Sequence, residues 1–332
     1  MKTRRPTAAG VAELAGVSKW TVIRAFDHGA SISAETRKKV RAAAATLGYR
    51  PNLLARSLAT NQTNQVAVFI DDFNNPHKLP AIAQLSLALQ EEGKILIVVN
   101  INRQFKQLDA LIHAQQRQLD GVILFANSLQ DKIIEEARAG NIPVPLVILA
   151  RESTLRSVPS VTTTTKASMI EIGTYLRERG YRKPGYMTGP SARSSLVLRH
   201  RYFEEFWRSG HSGPMPVLAA DSYDRHDAEI AMRNYLETSK KADRIDVLLC
   251  ENDALAFGAM DIARKIFGLR VPEDMAFVGY DDVDLAASPS YGLTTYRQPL
   301  ARMIKTALDI LANRRNRRST EIKGQLVVRE ST

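Results

Sequence analysis

From Val66 onward the chain repeats one pattern: a short apolar run, then a longer stretch in which apolar residues return every third or fourth position. The short runs Val66–Ile70, Ile95–Val99, Gly121–Phe125, Leu146–Ala150, Gly185–Met187, Val247–Leu249 and Ala276–Val278 are predicted strands. Between them, Leu79–Glu92, Gln104–Gln118, Gln130–Ala139, Lys166–Arg179, Arg199–Arg208, Ala228–Ser239 and Ala254–Phe267 carry helical spacing. Such alternation predicts parallel sheets with crossover helices, whose ligands lie beyond the carboxyl ends of the strands. The stretch is too long for one ordinary sheet, so two α/β lobes facing a cleft are expected.

Before Val66 the pattern is helical throughout. Val11, Ala12, Leu14 and Ala15 are predicted to form the apolar face of a short helix, and Gly16 supplies the left-handed residue that ends it. Ser18 caps a second helix with Val22, Ala25 and Phe26 on its inner face. A third follows, capped by Ser33, with Thr36 and Val40 turned inward and Gly48 stopping it after Leu47. Small Ala12 permits the close crossing of a helix-turn-helix. Ser18, Lys19, Trp20, Thr21 and Arg24 then lie on the outer side of the second helix as candidate DNA contacts. Arginine reads guanine bidentately in the major groove, while Thr and Lys hold phosphates.

Residues 51–64 are a separate piece. Pro51 suits a first helical turn, and Leu54 and Leu58 stand one turn apart in a segment too short to be stable alone. It reads either as a linker packed on the body or as a hinge that becomes helical on DNA. In the second case Asn52, Ala55 and Leu58 face the minor groove, with a leucine wedged between base steps.

Composition narrows the classes. Of 332 residues 44% are hydrophobic and 24% charged, as in a folded chain. The longest apolar run, Ile95–Val99, falls far short of the ~20 residues of a membrane span. The basic N-terminus has no apolar stretch of the kind a secretion signal needs, so a cytoplasmic, nucleoid-associated protein is expected. A lone Cys250 excludes internal disulfides and thiolate zinc clusters. The six histidines show no metal-ligand spacing and no phosphate loop is present, so no cofactor is expected. Charge is uneven: the first 64 residues hold 11 Lys and Arg against three acids, most of the net +11. That is the footprint of a polyanion binder, or of a solubilising face. The run Arg314–Arg318 reads as a solvated turn.

Several ordered motifs carry a resemblance to a known family. They are Val11–Val22, Tyr49-Arg50-Pro51-Asn52 with Ala55-Arg56-Ser57-Leu58, Asp120–Leu124, Gly189-Pro190, Glu251–Gly258, Val271–Asp274 running into Val278–Asp282, and Leu293-Thr294-Thr295. Over nearly its full length the chain resembles the lactose-repressor (LacI/GalR) family of bacterial transcription factors. The resemblance implies an all-α helix-turn-helix headpiece at 1–50, a hinge helix and linker at 51–64, and an α/β core of two parallel-sheet lobes at 65–332. That core is like periplasmic sugar-binding proteins, with three crossings between lobes. Lobe 1 is expected at about 65–161 and 293–325, and lobe 2 at about 162–292 and 326–332. Gly10, Ile23, Thr164-Thr165 and Arg201-Tyr202 depart from the family pattern.

Carried over by position, Arg199, Asn252 and Asp281 are candidate effector contacts, with Asp71 or Asp72 from the end of the first strand. The chemistry suits a polyol: carboxylates and amides share hydroxyl protons, and a guanidinium donates in a fork. Phe73, Phe125 and Tyr223 are candidates to cover the C–H face of a sugar. The reading is a regulator, expected to be a repressor, that binds a palindromic double-stranded operator as a homodimer and responds to a sugar-like effector. The chain shows no heptad tail that would join dimers. A carbohydrate- or nucleoside-processing enzyme is the alternative, since Asp71-Asp72 and Asp281-Asp282 are acid pairs. It lacks a nucleophile or metal motif. A plain solute-binding protein is opposed by the basic headpiece.

Overall fold

The computed structural model describes residues 6–26, 30–51, 57, 62–101, 107–139, 144–190, 198–208, 214–312 and 318–332. The chain divides into two compact units, Met1–Thr63 and Asn64–Thr332. Asn52, Ala55 and Leu58 lie outside the described residues.

Among the described residues the first unit holds three short helices, α1 (Ala8–Ala15), α2 (Lys19–Ala25) and α3 (Ala34–Thr46). Each starts on a hydroxyl cap: Thr7 accepts from the Gly10 N–H, Ser18 from Thr21 and Ser33 from Thr36. Gly16 ends α1 at φ 63°, as its left-handed role requires. Val11, Ala12, Ala15, Val22, Ala25, Val40, Ala43 and Ala44 make the core. Small residues dominate it, and so the helices cross closely. Leu14 is not part of that face. It is 53% exposed, because the buried face runs through Val11, Ala12 and Ala15 and Leu14 projects beyond its edge, about 160° round the helix from Ala12.

The second unit contains two six-stranded sheets. The first orders its strands β11-β5-β4-β3-β1-β2, where β1 is Gln65–Ile70, β2 Ile95–Asn100, β3 Gly121–Phe125, β4 Leu146–Leu149, β5 Ser160–Thr163 and β11 Thr320–Ile322. The second runs β12-β10-β9-β8-β6-β7, with β6 Pro184–Thr188, β7 Val217–Ala219, β8 Val247–Cys250, β9 Ala276–Asp281, β10 Thr294–Arg297 and β12 Gln325–Val327. All pairings are parallel except β10 with β12. The helices are α4 (Lys78–Glu91), α5 (Gln107–Gln116), α6 (Asp131–Ala139), α7 (Thr165–Glu178), α8 (Arg199–Arg208), α9 (Arg225–Thr238), α10 (Asp253–Lys265) and α11 (Leu300–Ala312).

Burial on both faces explains the apolar strand runs. In β1, Val66, Val68 and Ile70 enter one core beneath α4 and α11, while Ala67 and Phe69 enter the other beneath α5 and α6. Sheet two divides likewise: Leu248, Cys250 and Phe277 face α9 and α10, whereas Val247, Leu249, Val278 and Tyr280 face α7 and α8. The seven expected strands form. Five others were not expected, because Ser160–Thr163, Thr294–Arg297 and Thr320–Ile322 are rich in hydroxyl and charged residues, and Val217–Ala219 and Gln325–Val327 are only three residues long.

The lobe limits need correction. β10 pairs in parallel with β9, so residues 293–297 belong to lobe 2 and not to lobe 1. The chain crosses between Thr163 and Thr165, between Arg297 and Leu300, and between Ile322 and Gln325. Gln325 thus opens a lobe 2 strand. The hydroxyl-rich composition of Thr294-Thr295 concealed a buried strand held by ladder bonds and by Ser331 and Asp253.

A buried ion pair ties the residues after β4 to the start of α6 in lobe 1. The Arg151 guanidinium, fully buried, lies 2.9 Å from Asp131, whose other oxygen accepts from Ser153 Oγ and from the Thr154 N–H and hydroxyl. Burial alone would raise the Asp131 pKa, but the Thr154 N–H and Arg151 outweigh it and hold the carboxyl below its ordinary value. Asp131→Ala leaves a buried cation unpaired and is expected to destabilise the core by ~3–5 kcal/mol. Urea unfolding of parent and variant measures it, and a loss under ~1 kcal/mol would show the pair to be dispensable.

Candidate functional site

The lobes face each other across a narrow cleft with an enclosed space of about 30 Å³, opening into about 370 Å³ when the solvent at its mouth is included. Lobe 1 contributes Asn75, His77, Lys78, Phe125, Asn127 and Ala150, and lobe 2 contributes Arg199, Tyr223, Glu251, Asn252 and Asp281. Gln298, on the second crossing, completes the lining. These residues sit at strand ends or first helical turns, where a parallel sheet presents ligands.

Five of the eight sequence-expected effector residues line this cleft: Phe125, Arg199, Tyr223, Asn252 and Asp281. Arg199 stacks 4.0 Å over the Tyr280 ring and donates to the Glu251 carbonyl. Burial works against its charge, but Tyr280, Asp281 and Glu251 more than compensate, so it stays a guanidinium. Asp281 accepts from Gln298 Nε2 at 2.6 Å. Tyr223 packs on Gly189, where any Cβ would fall 2.2 Å from its ring. Burial, then the Glu251 charge, raises its phenol well above the usual range, so it remains a neutral donor.

Asn252 is placed in the lining but is already engaged. Its Oδ1 caps α10 through the Leu255 N–H at 2.9 Å, and its Nδ2 donates to the Tyr223 carbonyl. An Asx cap thus holds the two walls of lobe 2 together. Phe73 is 37% exposed and lies outside the lining. Asp71 and Asp72 also stand outside it, behind Lys78, whose Nζ is 3.2 Å from Asp72 and 4.0 Å from Asp71. The same ammonium donates to the Phe125 carbonyl and lies 3.7 Å above that ring.

His77, Lys78, Glu251 and Gln298 were missed by sequence reasoning. Nothing in Pro76-His77-Lys78 marks a buried pair, since charged residues at a helix start usually point to water. Yet His77 is 93% buried, and its Nε2 has no hydrogen-bond partner in the protein. Burial first, then Lys78 and Arg199, hold its pKa below the ordinary histidine value despite Asp281. Its ring is neutral. Near the cleft floor, Tyr186 Oη and His200 Nε2 are buried without a partner, their rings 4.9 Å apart. Among the described residues no group of three or more His, Cys, Asp or Glu could hold a metal, and no helix is long and apolar enough to cross a membrane.

In the headpiece, Lys19 and Trp20 are exposed, Trp20 by 58%. Thr21 and Arg24 are half-buried, and Arg24 donates to the Ser31 carbonyl in the loop before α3. Ser18 is committed to its cap, with its hydroxyl 2.8 Å from that of Thr21.

A capped helix-turn-helix and a two-lobed cleft define a DNA-binding regulator with a small-molecule domain. Residues 8–52 match the model for bacterial regulatory proteins of the lacI family, and 174–332 match the periplasmic binding protein-like domain. The chain thus joins a lacI-family DNA-binding domain to a periplasmic binding protein-like domain. It is 28% identical to the transcriptional repressor PurR of Photobacterium profundum over 98% of both chains. It is 27% identical to the repressor CytR of Escherichia coli K12, over 92% of this chain and 88% of that one. The Lac repressor dimer bound to operator and the anti-inducer ONPF shares its fold, with a TM-score of 0.85 at 24% identity over 99% of each. The transcriptional regulator CelR in complex with cellobiose matches at 0.70 and 25% identity, over 99% of this chain and all of that one.

Behind Asp281 lies Asp253, wholly buried, accepting from Thr295 Oγ1 and from the Val283 N–H. Burial, then the Asp281 charge, pushes its carboxyl up to about 7. A carboxyl held above its unfolded value binds extra protons in the folded state, so stability falls as pH rises from about 4 to about 7. Asp72 and Glu152, also raised first by burial, act in the same direction. Asp253→Asn is expected to flatten part of that slope. Urea midpoints across the window test it, and an unchanged slope would show that Asp253 does not titrate there.

Proposed function

We propose that this protein is a sequence-specific DNA-binding repressor, cytoplasmic and nucleoid-associated, whose operator affinity is set by a small polyhydroxy effector held between the lobes. It acts without catalysis. The carrying observation is the cleft itself: an arginine, two carboxylates and an unpartnered buried histidine converge between lobes joined by three short crossings. Such an arrangement holds hydroxyl groups and supplies no nucleophile–base pair or metal. Arg199 and Asp281 are the principal contacts, and Tyr223 and Phe125 cover the ligand's apolar face. Support comes from PurR and CytR, which are repressors, and from CelR, solved with cellobiose.

The protein acts as a homodimer on a palindromic operator. Leu79 and Leu87 on α4, with Val98 on the same side of edge strand β2, expose apolar side chains on lobe 1. Exposed apolar side chains on a helix beside an open sheet edge favour a second copy of the chain. The headpiece reads DNA with α2: Arg24 toward a base, Lys19 and Thr21 toward phosphates, and Trp20 against the groove wall. Asn52, Ala55 and Leu58 extend the contact into the minor groove.

Two experiments test these roles. With an operator selected from random duplexes, log affinity should fall linearly with log salt, at about −0.9 per phosphate neutralised. Arg24→Ala should lose ~1–3 kcal/mol on operator and relax base preference, and equal weakening on random DNA would make Arg24 a positioning residue. Effectors are found by a thermal-shift screen of sugars. Arg199→Ala and Asp281→Ala should each lose most affinity for the hit while keeping DNA binding. Full ligand affinity in both would misplace the pocket. Coupling of ~1–3 kcal/mol must appear from both sides, so effector titrations with and without operator should differ.

A further inference from the structure

The first crossing is built of threonines whose hydroxyls reach in opposite directions. Thr163 ends β5 in lobe 1, and its Oγ1 lies 2.6 Å from the Tyr280 hydroxyl of β9 in lobe 2. Two residues on, Thr165 opens α7 in lobe 2 and donates back to Glu152 of lobe 1 and to the Thr163 carbonyl. Each lobe therefore engages a hydroxyl of the other. Thr163 is 4% exposed and Tyr280 1%, so water does not compete for their bond. Ser168 of α7 neighbours the Tyr280 hydroxyl too, but its own is given to the Thr165 carbonyl.

Tyr280 also belongs to the cleft wall. The Arg199 guanidinium, which lines the cleft, lies 4.0 Å over its ring. Tyr296, its direct partner on β10, stacks on it at 5.3 Å with only 19° between the rings. Tyr296 is itself packed against the third crossing, where a Cβ on Gly324 would fall 2.4 Å from the ring. Stacked in this way, Tyr280 has little freedom to turn. A shift of lobe 1 that parts Thr163 from Tyr280 thus acts on the side chain that carries Arg199. The next residue along β9 is Asp281, the other principal contact of the cleft.

We propose that Tyr280 is a positioning residue for the effector site: its hydroxyl holds lobe 1 through Thr163 while its ring presents Arg199, so one bond ties lobe closure to the arginine that meets the effector. The inference rests on the effector reading above. Closed lobes bury both hydroxyls and pair them, whereas open lobes give both to water. Losing either partner leaves the other buried and unmatched only in the closed arrangement. The bond therefore biases the lobes toward closure by a modest amount, of a size that a ligand can reinforce.

The test is single-molecule fluorescence energy transfer on the full-length protein, with cysteines introduced at Asn74 and Asp221. Both positions are exposed and lie within two residues of cleft-lining side chains, whereas Cys250 is buried. An excess of unlabelled chain keeps any assembly to one dye pair. Tyr280→Phe and Thr163→Val should each lower the ratio of closed to open molecules about five-fold, the effect of one net hydrogen bond. The double variant should do no more than either, because the two hydroxyls serve one bond. Thr163→Ser should restore the parental ratio. Glucose, galactose, mannose, ribose and cellobiose are then titrated calorimetrically, and any that binds the parent should lose affinity in step with the closed fraction. An unchanged ratio in both variants, full additivity in the double, failure of serine to restore the ratio, or affinity that holds while the closed fraction has halved overturns the proposal alone. If none of the five sugars binds the parent, the polyhydroxy reading falls and the inference falls with it. If Tyr280→Phe does not fold, Thr163→Val and Thr163→Ser still decide.

Discussion

The site depends on one buried carboxylate that touches no ligand. Asp253 opens α10 directly after its Asn252 cap, and its oxygens reach forward to the Val283 N–H and to Thr295 Oγ1 in β10. The approach is so close that a Cβ on Gly279 would fall 2.1 Å from Asp253 Oδ1. Helix α10, strand β9 and strand β10 are thereby pinned at one point. There the backbone turns through two non-glycine residues with positive φ, Asp281 at 122° and Asp282 at 57°. Such conformations persist only where surroundings over-determine them. Asp253 supplies that determination from one side. Arg297 and Arg329, both paired with Asp282, supply it from the other. The outcome is the aim of the Asp281 carboxylate into the cleft.

The lobes are joined by polar links as well as by chain. Thr163 of β5 lies 2.6 Å from the Tyr280 hydroxyl of β9, and Glu152 of lobe 1 accepts from Thr165 at the start of α7. Gln298, on a crossing, holds Asp281. These are small, separately breakable bonds instead of a continuous apolar seam. The net contribution of each is about 1 kcal/mol, so relative movement of the lobes is energetically accessible while each core stays packed. A ligand contacting both Lys78 and Arg199 walls would bind closed lobes more tightly than open ones. Only that difference can move the population.

Much of this was legible in the sequence, for identifiable reasons. Parallel strands buried on both faces must be apolar throughout, so β1, β3, β8 and β9 announce themselves. Serine caps and a left-handed glycine announce the headpiece. Helix α11 was absent from the expected set although Met303, Ile304, Ala307, Leu308 and Leu311 recur at helical spacing; it lies after the last expected strand, where alternation gave no cue. Strands made of threonine stayed hidden because their stability comes from ladder and hydroxyl bonds. In the cleft, positions at strand ends were readable, but the use of each side chain was not. Asn252 looks like a ligand amide until its oxygen is found capping α10, and Lys78 looks solvated until Phe125 is found over it.

That last contrast bears on how the cleft acquires selectivity. A fully apolar wall would discriminate ligands by about a methylene's worth of contact, whereas buried polar groups penalise any ligand that leaves them unmatched. His77 Nε2 is such a group. A buried polar group desolvated without a partner costs about 1–3 kcal/mol, which is about one to two decades of affinity. The wall that looks least economical for folding, with its buried lysine and histidine, is therefore the one where a mismatched ligand would cost most. Stability of the fold comes from the apolar cores on either face of each sheet. Specificity comes from the polar groups that those cores have stability enough to carry.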